Sequence, residues 1–320
     1  MKVLEIRDLT IHYYTLRGIV HAVEGVNLSV EQGERVAIVG ESGSGKTTLG
    51  LAITGLLPAP GRIAKGNIVF KGIDLARLSS EEWRKIRGKE ISIIFQDPSS
   101  ALNPVMKIGD QVAEILIAHG YSKKEAREKT IELLKAVGIP DPHARYDSYP
   151  HQLSGGMKQR VVIAISVALK PSLIIADEPT SALDVTIQSL ILEMMRDLSI
   201  KSGSSLILIT HDLGVAAEVA DKIAVMYAGR LVEYGSTREV IGNPLHPYTL
   251  RLLESVPFIH KSEGELKAIP GSVPNLLNPP KGCRFHPRCH RVMSICKTAE
   301  PPMVEVNGRR VACHLYSSRR

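Results

Sequence analysis

A glycine-rich segment near the start of the chain offers the clearest chemistry. Residues 40–47 have the sequence GESGSGKT, which fits the phosphate-loop pattern G-x-x-x-x-G-K-[ST]. Glycines at this spacing let backbone N–H groups turn inward around phosphate oxygens, and the helix that follows adds the positive end of its dipole. Lys46 then reaches the outer phosphates, and the Thr47 hydroxyl binds Mg²⁺. The segment predicts a nucleoside triphosphate site.

Two acidic residues after an apolar run offer a second part of the same chemistry. Residues 173–176 are LIIA, and Asp177 and Glu178 follow directly. A buried strand ending here delivers Asp177 to the edge of a sheet, where it can hold Mg²⁺ through water. Glu178 can polarise an attacking water as a general base. The alternative is that both acids simply begin a helix, where carboxylates are favourable; beside a phosphate loop, we favour hydrolysis.

These residues need a parallel sheet to position them. Short apolar runs typical of buried strands lie at 35–39, 91–95, 173–176, 206–210 and 223–227. Helical patterns occur at 46–57, 108–119, 123–137, 154–169, 181–200 and 213–219. The segments 4–14 and 20–30 alternate as paired antiparallel strands do. We therefore expect an α/β core interrupted by a helical insertion and followed by a Pro-rich region.

The start of one predicted helix carries a family motif. Residues 153–160, LSGGMKQR, resemble the LSGGQ signature of ABC-type ATPases, with Met157 in place of the usual Gln. Ser154 and the amides of Gly155 and Gly156 would open the helix and form a further anion site. The exchange at Met157 leaves that site intact.

Smaller motifs resemble further landmarks of this family and occur in the family's order. Gln96 resembles the residue of the Q-loop, residues 181–184 (SALD) resemble the D-loop, and His211 resembles the switch histidine. Tyr13 precedes the phosphate loop at about the distance of the family's adenine-stacking aromatic residue, and its neighbour Tyr14 is the alternative.

Segments outside the core resemble the oligopeptide/dipeptide importer ATPases more closely. These are QDPSSALNP at 96–104, YPHQ at 149–152 and NPLHPYT at 243–249, and the Pro-rich tail resembles that subfamily's C-terminal region. The resemblance implies an α/β P-loop NTPase fold of the ABC type, with a RecA-like core, an antiparallel β subdomain, a helical subdomain and an irregular metal-binding tail. The boundaries we expect are 1–97 and 151–247 for the ATPase core, 98–150 for the helical subdomain and 248–320 for the tail.

The resemblance also implies two ATP molecules bound between two ATPase domains arranged head to tail. Catalysis would use Glu178 as the base, His211 as the γ-phosphate sensor, and Gln96. Thr47, Gln96 and Asp177 would hold Mg²⁺. The implied nucleotide-binding residues are Tyr13, Gly40, Ser42, Gly43, Ser44, Gly45, Lys46, Thr47, Thr48, Gln96 and Asp177 from one subunit, and Ser154, Gly155 and Gly156 from the other, with Asp184 coupling the two sites.

The function implied by the resemblance is ATP hydrolysis that powers import of di- and oligopeptides. The implied partners are a second ABC ATPase subunit (a copy or a paralogue), two membrane-spanning permease subunits and an extracytoplasmic substrate-binding protein. No apolar run of the sequence reaches the ~20 residues of a membrane-spanning helix, and the N-terminal residues do not resemble a signal peptide. We therefore expect a peripheral protein at the cytoplasmic face of the membrane.

The charge distribution is compatible with a competing function, which other features of the sequence disfavour. The formal net charge is +7, and residues 281–320, with nine basic and two acidic residues, carry all of it. A basic tail can contact nucleic-acid phosphates, as in a soluble ABC ATPase acting on ribosomes or DNA. The single cassette, the lack of a long coiled-coil insertion and the scarcity of aromatic residues in this tail argue against that alternative, so we expect no nucleic-acid partner. Glu178 and His211 argue against a third alternative, a metal-dependent regulatory subunit that binds nucleotide without turnover.

The same tail holds every cysteine of the chain. The spacing is Cys283-x5-Cys289-x6-Cys296-x16-Cys313, wider than the C-x2–4-C knuckles of structural zinc sites and suited to a bulkier centre. Some members of the resembled subfamily carry a [4Fe–4S] cluster on four such cysteines. We expect this cluster as a staple for a tail with little core of its own; zinc, or free or disulfide-bonded cysteines, are the alternatives.

Overall fold

The computed structural model describes residues 1–181, 183–255 and 269–317. Ala182 of the expected D-loop and the basic residues Arg319 and Arg320 lie outside this part of the chain. The chain divides into two compact units. The first consists of Met1–Leu78 and Leu208–Arg320, and the second of Ser79–Ile207.

Strands and helices alternate along most of the chain. The strands are β1 (Lys2–Thr15), β2 (Gly18–Glu31), β3 (Arg35–Val39), β4 (Gly61–Phe70), β5 (Ile73–Asp74), β6 (Ile91–Ile94), β7 (Leu173–Asp177), β8 (Ser205–Thr210), β9 (Lys222–Tyr227), β10 (Arg230–Ser236), β11 (Met303–Val306) and β12 (Arg309–Ala312). The α-helices are α1 (Lys46–Ile53), α2 (Ser80–Ile86), α3 (Pro98–Ala101), α4 (Ile108–Ala118), α5 (Lys123–Ala136), α6 (Pro142–Arg145), α7 (Gly155–Val167), α8 (Val185–Ser202), α9 (Leu213–Val219), α10 (Thr237–Gly242), α11 (Pro247–Glu254) and α12 (His314–Ser317).

An antiparallel sheet in the first unit has the strand order β2-β1-β4-β5. The long hairpin of β1 and β2 confirms the two strands predicted at 4–14 and 20–30, and its register sets Tyr13 opposite Val20. Apolar residues such as Leu4, Ile6 and Val30 lie on its buried face. The hairpin therefore carries the candidate adenine-stacking residue on a rigid strand.

Parallel strand pairs deliver the candidate site residues of each unit. In the first unit β3 pairs with β9, with Val39 opposite Val225, and the strand order continues through β10 and β12 to β11. In the second unit β6 pairs with β7, with Ile94 opposite Ala176. These are the short buried strands that the apolar runs predict. The residues that follow β3, β6 and β7 are the phosphate loop, Gln96 and Glu178, at the carboxyl ends where α/β sheets bind ligands.

Two helix boundaries differ by four residues from those predicted. The helix predicted at 181–200 begins only at Val185, because the Asp184 side chain accepts a hydrogen bond from the amide of Ile187 (3.0 Å) and thereby caps it. The helix predicted at 46–57 ends at Ile53, since Gly55 adopts a positive φ of 64° and Pro58 follows.

The Pro-rich tail contains more regular structure than its sequence predicts. The β11–β12 hairpin joins β10, with Tyr234 opposite Arg310, and so extends the sheet of the first unit. Phe285 is buried against Tyr227 of β9 and Tyr248 of α11, with ring centroids 5.1 and 5.3 Å away. The tail is therefore anchored through an aromatic core.

Candidate active site

The phosphate loop follows β3 and leads directly into α1. Gly40 and Gly45 have φ values of +154° and +96°, and a Cβ on either would overlap a backbone carbonyl oxygen, of Met226 and of Ala22 respectively. Only glycine fits this conformation and this close approach. The loop backbone therefore packs directly against β9 and β2. Its glycines allow the tight turn that a phosphate-binding loop requires.

Two buried side chains of the loop could bind a phosphate. The Lys46 Nζ donates hydrogen bonds to the carbonyl oxygens of Gly40 (2.7 Å) and Glu41 (3.0 Å), and the side chain is buried. The Ser44 hydroxyl is buried and has no hydrogen-bond partner in the part of the chain that the structure describes. A buried hydroxyl without a partner is costly, and a phosphate oxygen would satisfy it.

Tyr13 lies beside the helix that follows the loop. Its hydroxyl is 3.4 Å from Oγ1 of Thr48, in the first turn of α1. Tyr14 points elsewhere and is half exposed, with its ring at 6.2 Å from that of His12. The structure thus associates Tyr13, not Tyr14, with the phosphate-loop helix.

The acidic pair of the second unit follows β7. Asp177 is its last residue and is 7% exposed, and Glu178 comes next with φ +44°. A left-handed backbone at a non-glycine residue costs roughly 1–2 kcal/mol, and such strain is concentrated at functional positions. The side chain of Glu178 accepts a hydrogen bond from Nε2 of Gln96 (3.1 Å). Nothing in the sequence predicts this backbone conformation.

The signature segment forms the beginning of α7. Ser154 is the N-cap, and its hydroxyl accepts a hydrogen bond from the amide of Met157 (3.3 Å). The amides of Gly155 and Gly156 belong to the first turn, where the helix dipole favours an anion. A groove beside this turn is lined by Ser154, Gly155, Gly156, Leu183, Asp184 and others. Met157, the exchanged residue, also lines this groove.

His211 lies in the first unit, between β8 and α9. It follows Thr210, the last residue of β8, and precedes Asp212, which caps α9 by accepting a hydrogen bond from the amide of Gly214 (2.7 Å). Its backbone is fixed by regular structure on both sides. The phosphate loop, Tyr13 and His211 thus belong to the first unit, and Gln96, Asp177, Glu178 and the signature belong to the second.

Comparisons with known proteins agree with this geometry. Residues 23–181 match the model of the ABC transporter family, and residues 232–296 match that of the C-terminal region of oligopeptide/dipeptide transporters. The chain is 52% identical to the oligopeptide transport ATP-binding protein OppD of Bacillus subtilis over 96% of its own length and 86% of the relative's. It is 50% identical to the dipeptide transport ATP-binding protein DppD of Lactococcus lactis, over 96% and 88%.

The chain belongs to the oligopeptide/dipeptide ATP-binding family of ABC transporters. Its structure resembles a dimeric ATP-binding cassette in a post-hydrolysis state bound to ADP and Pi, with TM-score 0.66 and 31% identity, covering 73% of this chain and 99% of that one. It resembles cbiO1 of Clostridium perfringens equally well, with TM-score 0.66 and 30% identity over 76% and 91%. The fold class and the family predicted from the motifs are confirmed, and the chain is an ATPase of the ABC type that works with ATP and Mg²⁺.

Three of the nine basic residues at 281–320 form internal ion pairs in this family member. Arg284, Arg288 and Arg309 are buried, and their guanidinium groups pair with Glu24, Glu41 and Glu233 respectively. Burial lowers the pKa of Arg284, and the carboxylate of Glu24 opposes this effect. These arginines stabilise the packing of the tail on the ATPase fold and are unavailable to an external polyanion.

The four cysteines converge in the first unit. All are free thiols, and the amide of Cys283 donates a hydrogen bond to the carbonyl oxygen of Cys296 (2.9 Å). Burial raises the pKa of Cys283 and of Cys313 to about 11, and nearby thiols of the group raise both values further. Within the described residues, the group that brings three ligand atoms within 4.8 Å of one another is His12, His21 and Glu24, so no three of the sulfurs lie that close.

No helix in the described ranges is both long enough and apolar enough to cross a membrane.

Proposed function

We propose that this chain is the ATP-hydrolysing subunit of an importer for di- and oligopeptides. The identity to OppD over nearly the whole chain carries this proposal, since it extends through the tail that plain cassettes lack. The internal pairing of Arg284, Arg288 and Arg309 supports it over a nucleic-acid-directed ATPase, because a nucleic-acid surface needs exposed cations.

In the proposed reaction, ATP binds to the phosphate loop with its adenine against Tyr13. The Lys46 ammonium neutralises charge on the outer phosphates, and the loop amides and the Ser44 hydroxyl hold their oxygens. Thr47, Gln96 and Asp177 offer the oxygen ligands that Mg²⁺ prefers. When bound, the ion neutralises developing charge on the phosphates.

Hydrolysis needs a water in line with the γ-phosphate. The carboxylate of Glu178 orients and deprotonates that water, and Gln96 fixes the carboxylate by its hydrogen bond. His211 contacts the γ-phosphate and stabilises charge on it. Ser154, Gly155 and Gly156 of this chain contribute to the nucleotide site of the facing subunit, with Asp184 coupling the two sites. ATP binding therefore favours a closed dimer, and hydrolysis favours an open one.

We assign the partners by the same argument. The second ATPase subunit is a copy or a paralogue, and two membrane-spanning permease subunits receive the helical segment 98–150. A substrate-binding protein outside the membrane selects the peptide. This chain is then a peripheral protein on the cytoplasmic face.

We also propose that Cys283, Cys289, Cys296 and Cys313 hold a [4Fe–4S] cluster. A tetrahedral zinc site with Zn–S bonds of about 2.3 Å sets its four sulfurs about 3.8 Å apart, whereas no three of these sulfurs lie within 4.8 Å of one another. The larger cube accommodates wider spacing, and four thiolates are its usual ligand set. The cluster would staple the tail to the ATPase fold.

The decisive experiment measures ATP hydrolysis by the reconstituted importer. The complex of this chain with its permease subunits should hydrolyse ATP faster when a peptide-loaded binding protein is added, and not when the unloaded one is added. Stimulation by ribosomes or DNA, with none by the peptide-loaded protein, would overturn the proposal.

A further inference from the structure

A buried arginine of the tail contacts the phosphate loop. Arg288 Nη1 donates to Oε2 of Glu41 at 2.8 Å, and Nη2 donates to Oε1 at 3.0 Å. Glu41 is the second residue of the loop, and 247 residues separate it from its partner. A bidentate, charge-assisted pair of this kind fixes direction as well as distance.

Arg288 is itself held rigidly. Its side chain is 5% exposed, its Nε donates to the carbonyl oxygen of Pro270 (2.8 Å), and Nη1 also donates to the hydroxyl of Tyr227 (3.3 Å). The guanidinium lies 5.8 Å from the ring centre of Tyr227. Because the guanidinium is held on several sides by the tail and by β9, a movement of the tail would also move its carboxylate partner Glu41.

Glu41 connects this anchor to the phosphate-binding backbone. Its amide donates to the hydroxyl of Tyr248 (2.8 Å), so that this amide faces away from the cradle. Its carbonyl oxygen accepts from Nζ of Lys46 (3.0 Å) and from the amide of Ser44 (3.2 Å). A rotation of Glu41 would therefore displace both the lysine and the loop amides.

We propose that Arg288 is a positioning residue for ATP binding, which acts through Glu41 to hold the backbone of the phosphate loop in the conformation observed here before the nucleotide arrives. The inference rests on the proposed function only in taking this loop as the ATP site. Preorganisation reduces the ordering cost of binding, so its loss weakens affinity. The chemical step after binding depends on Glu178 and should change little. The competing interpretation is that Arg288 only anchors the tail.

The test measures the dissociation constant of a fluorescent ATP analogue on the full-length chain, together with KM and kcat for ATP. Arg288→Gln and Glu41→Gln should each raise the dissociation constant and KM about tenfold, which is the effect of losing about 1.4 kcal/mol of binding free energy, while kcat stays within about twofold. The double variant should be no weaker than either single variant, because both remove one interaction. Arg288→Lys keeps the positive charge but cannot form two parallel hydrogen bonds to one carboxylate. It should therefore bind the ATP analogue more tightly than Arg288→Gln but less tightly than the wild type.

Arg35→Gln is the matched control. Arg35 forms a similar two-bonded pair with Asp221 (2.6 and 3.1 Å) in the same unit, at the other end of β3 from the loop. The Arg35→Gln substitution should leave the dissociation constant for the ATP analogue unchanged. The inference fails if Arg288→Gln and Glu41→Gln behave like this control, lowering stability alone, or if their effects on affinity add.

Lys46→Ala separates this inference from the site assignment. If it leaves the dissociation constant unchanged, the loop is not the ATP site, and the assignment fails whatever Arg288 does. If it weakens binding and the Arg288 and Glu41 variants leave affinity intact, only the positioning role fails.

Discussion

Gln96 and Glu178 are joined by a hydrogen bond of 3.1 Å from Nε2 to Oε2, and the same amide nitrogen lies 3.3 Å from Oγ of Ser181. Gln96 follows β6 and Glu178 follows β7, which are neighbouring parallel strands. The helical segment predicted to contact the permease begins two residues after Gln96. A shift of that segment would therefore move the amide that fixes the candidate base, which offers a physical route for coupling transport to hydrolysis.

Glu178→Gln should separate ATP binding from hydrolysis. The neutral amide keeps the shape of the side chain but cannot accept a proton, so turnover should fall by about 10²–10⁴-fold, while ATP affinity is kept and closed dimers accumulate. Steady-state ATPase rates and size-exclusion chromatography with ATP check this. Glu193→Gln, an acid of α8, is the control and should retain wild-type rates. Near-normal turnover of Glu178→Gln would exclude Glu178 as the base.

Gln96→Glu should change the pH dependence of hydrolysis. A second carboxylate beside Glu178 disfavours its ionised form, because the two like charges repel each other. The base must be deprotonated to act, so the acidic limb of the pH–kcat profile should move to higher pH. Gln96→Ala should lower kcat without moving that limb, because it adds no charge. Coincident acidic limbs for the two variants would show that residue 96 does not face the base.

The sequence predicts those parts of the site that depend on local pattern. The run RVAIV predicts β3 with the bounds observed, and GESGSGKT predicts the loop because its glycines serve backbone geometry. The Asp177–Glu178 pair is predicted because the apolar run that precedes it is typical of a buried strand, which ends at the first of the two acids. In each case, the structural role of the residue depends on neighbours that lie within a few positions of it in the sequence.

Other features depend on partners far along the chain. The pair of Arg288 and Glu41 could not be predicted, since an isolated arginine in a Pro-rich segment has many possible partners. The β11–β12 hairpin was missed because RRVA has the charge of an exposed loop, and only pairing with β10 makes it a strand. The left-handed backbone of Glu178 is imposed by its surroundings.

His246 should make the protein less stable in mild acid. It caps α11 by accepting a hydrogen bond from the amide of Tyr248 at Nδ1 (3.0 Å), and full burial lowers its pKa from 6.5 to about 3. The folded state therefore keeps it neutral while the unfolded state binds a proton, so stability falls as the pH drops below about 6.5. Between pH 7.5 and 5.5 this contributes a loss of about 1.4 kcal/mol.

His246→Asn isolates that contribution. Asparagine is a good N-cap and does not titrate, so urea unfolding of the variant should lose about 1.4 kcal/mol less than the wild type over the same pH interval. Equal losses in the two proteins would show that His246 does not titrate on unfolding. The carboxylates are the same in both proteins, so their contributions to the pH dependence of stability cancel in the comparison.

The cysteine group should yield a brown protein on anaerobic purification, with visible iron–sulfur absorbance and about four irons per chain. Replacing a ligand by serine, for example Cys296→Ser, should remove the colour and destabilise the tail. His290→Ala is the matched control, since it lies next to Cys289 without belonging to the four-thiol set, and it should keep the full iron content. A colourless wild-type protein with one zinc per chain would refute the cluster. Loss of iron from His290→Ala would instead make that imidazole a ligand and reduce the thiolate set to three.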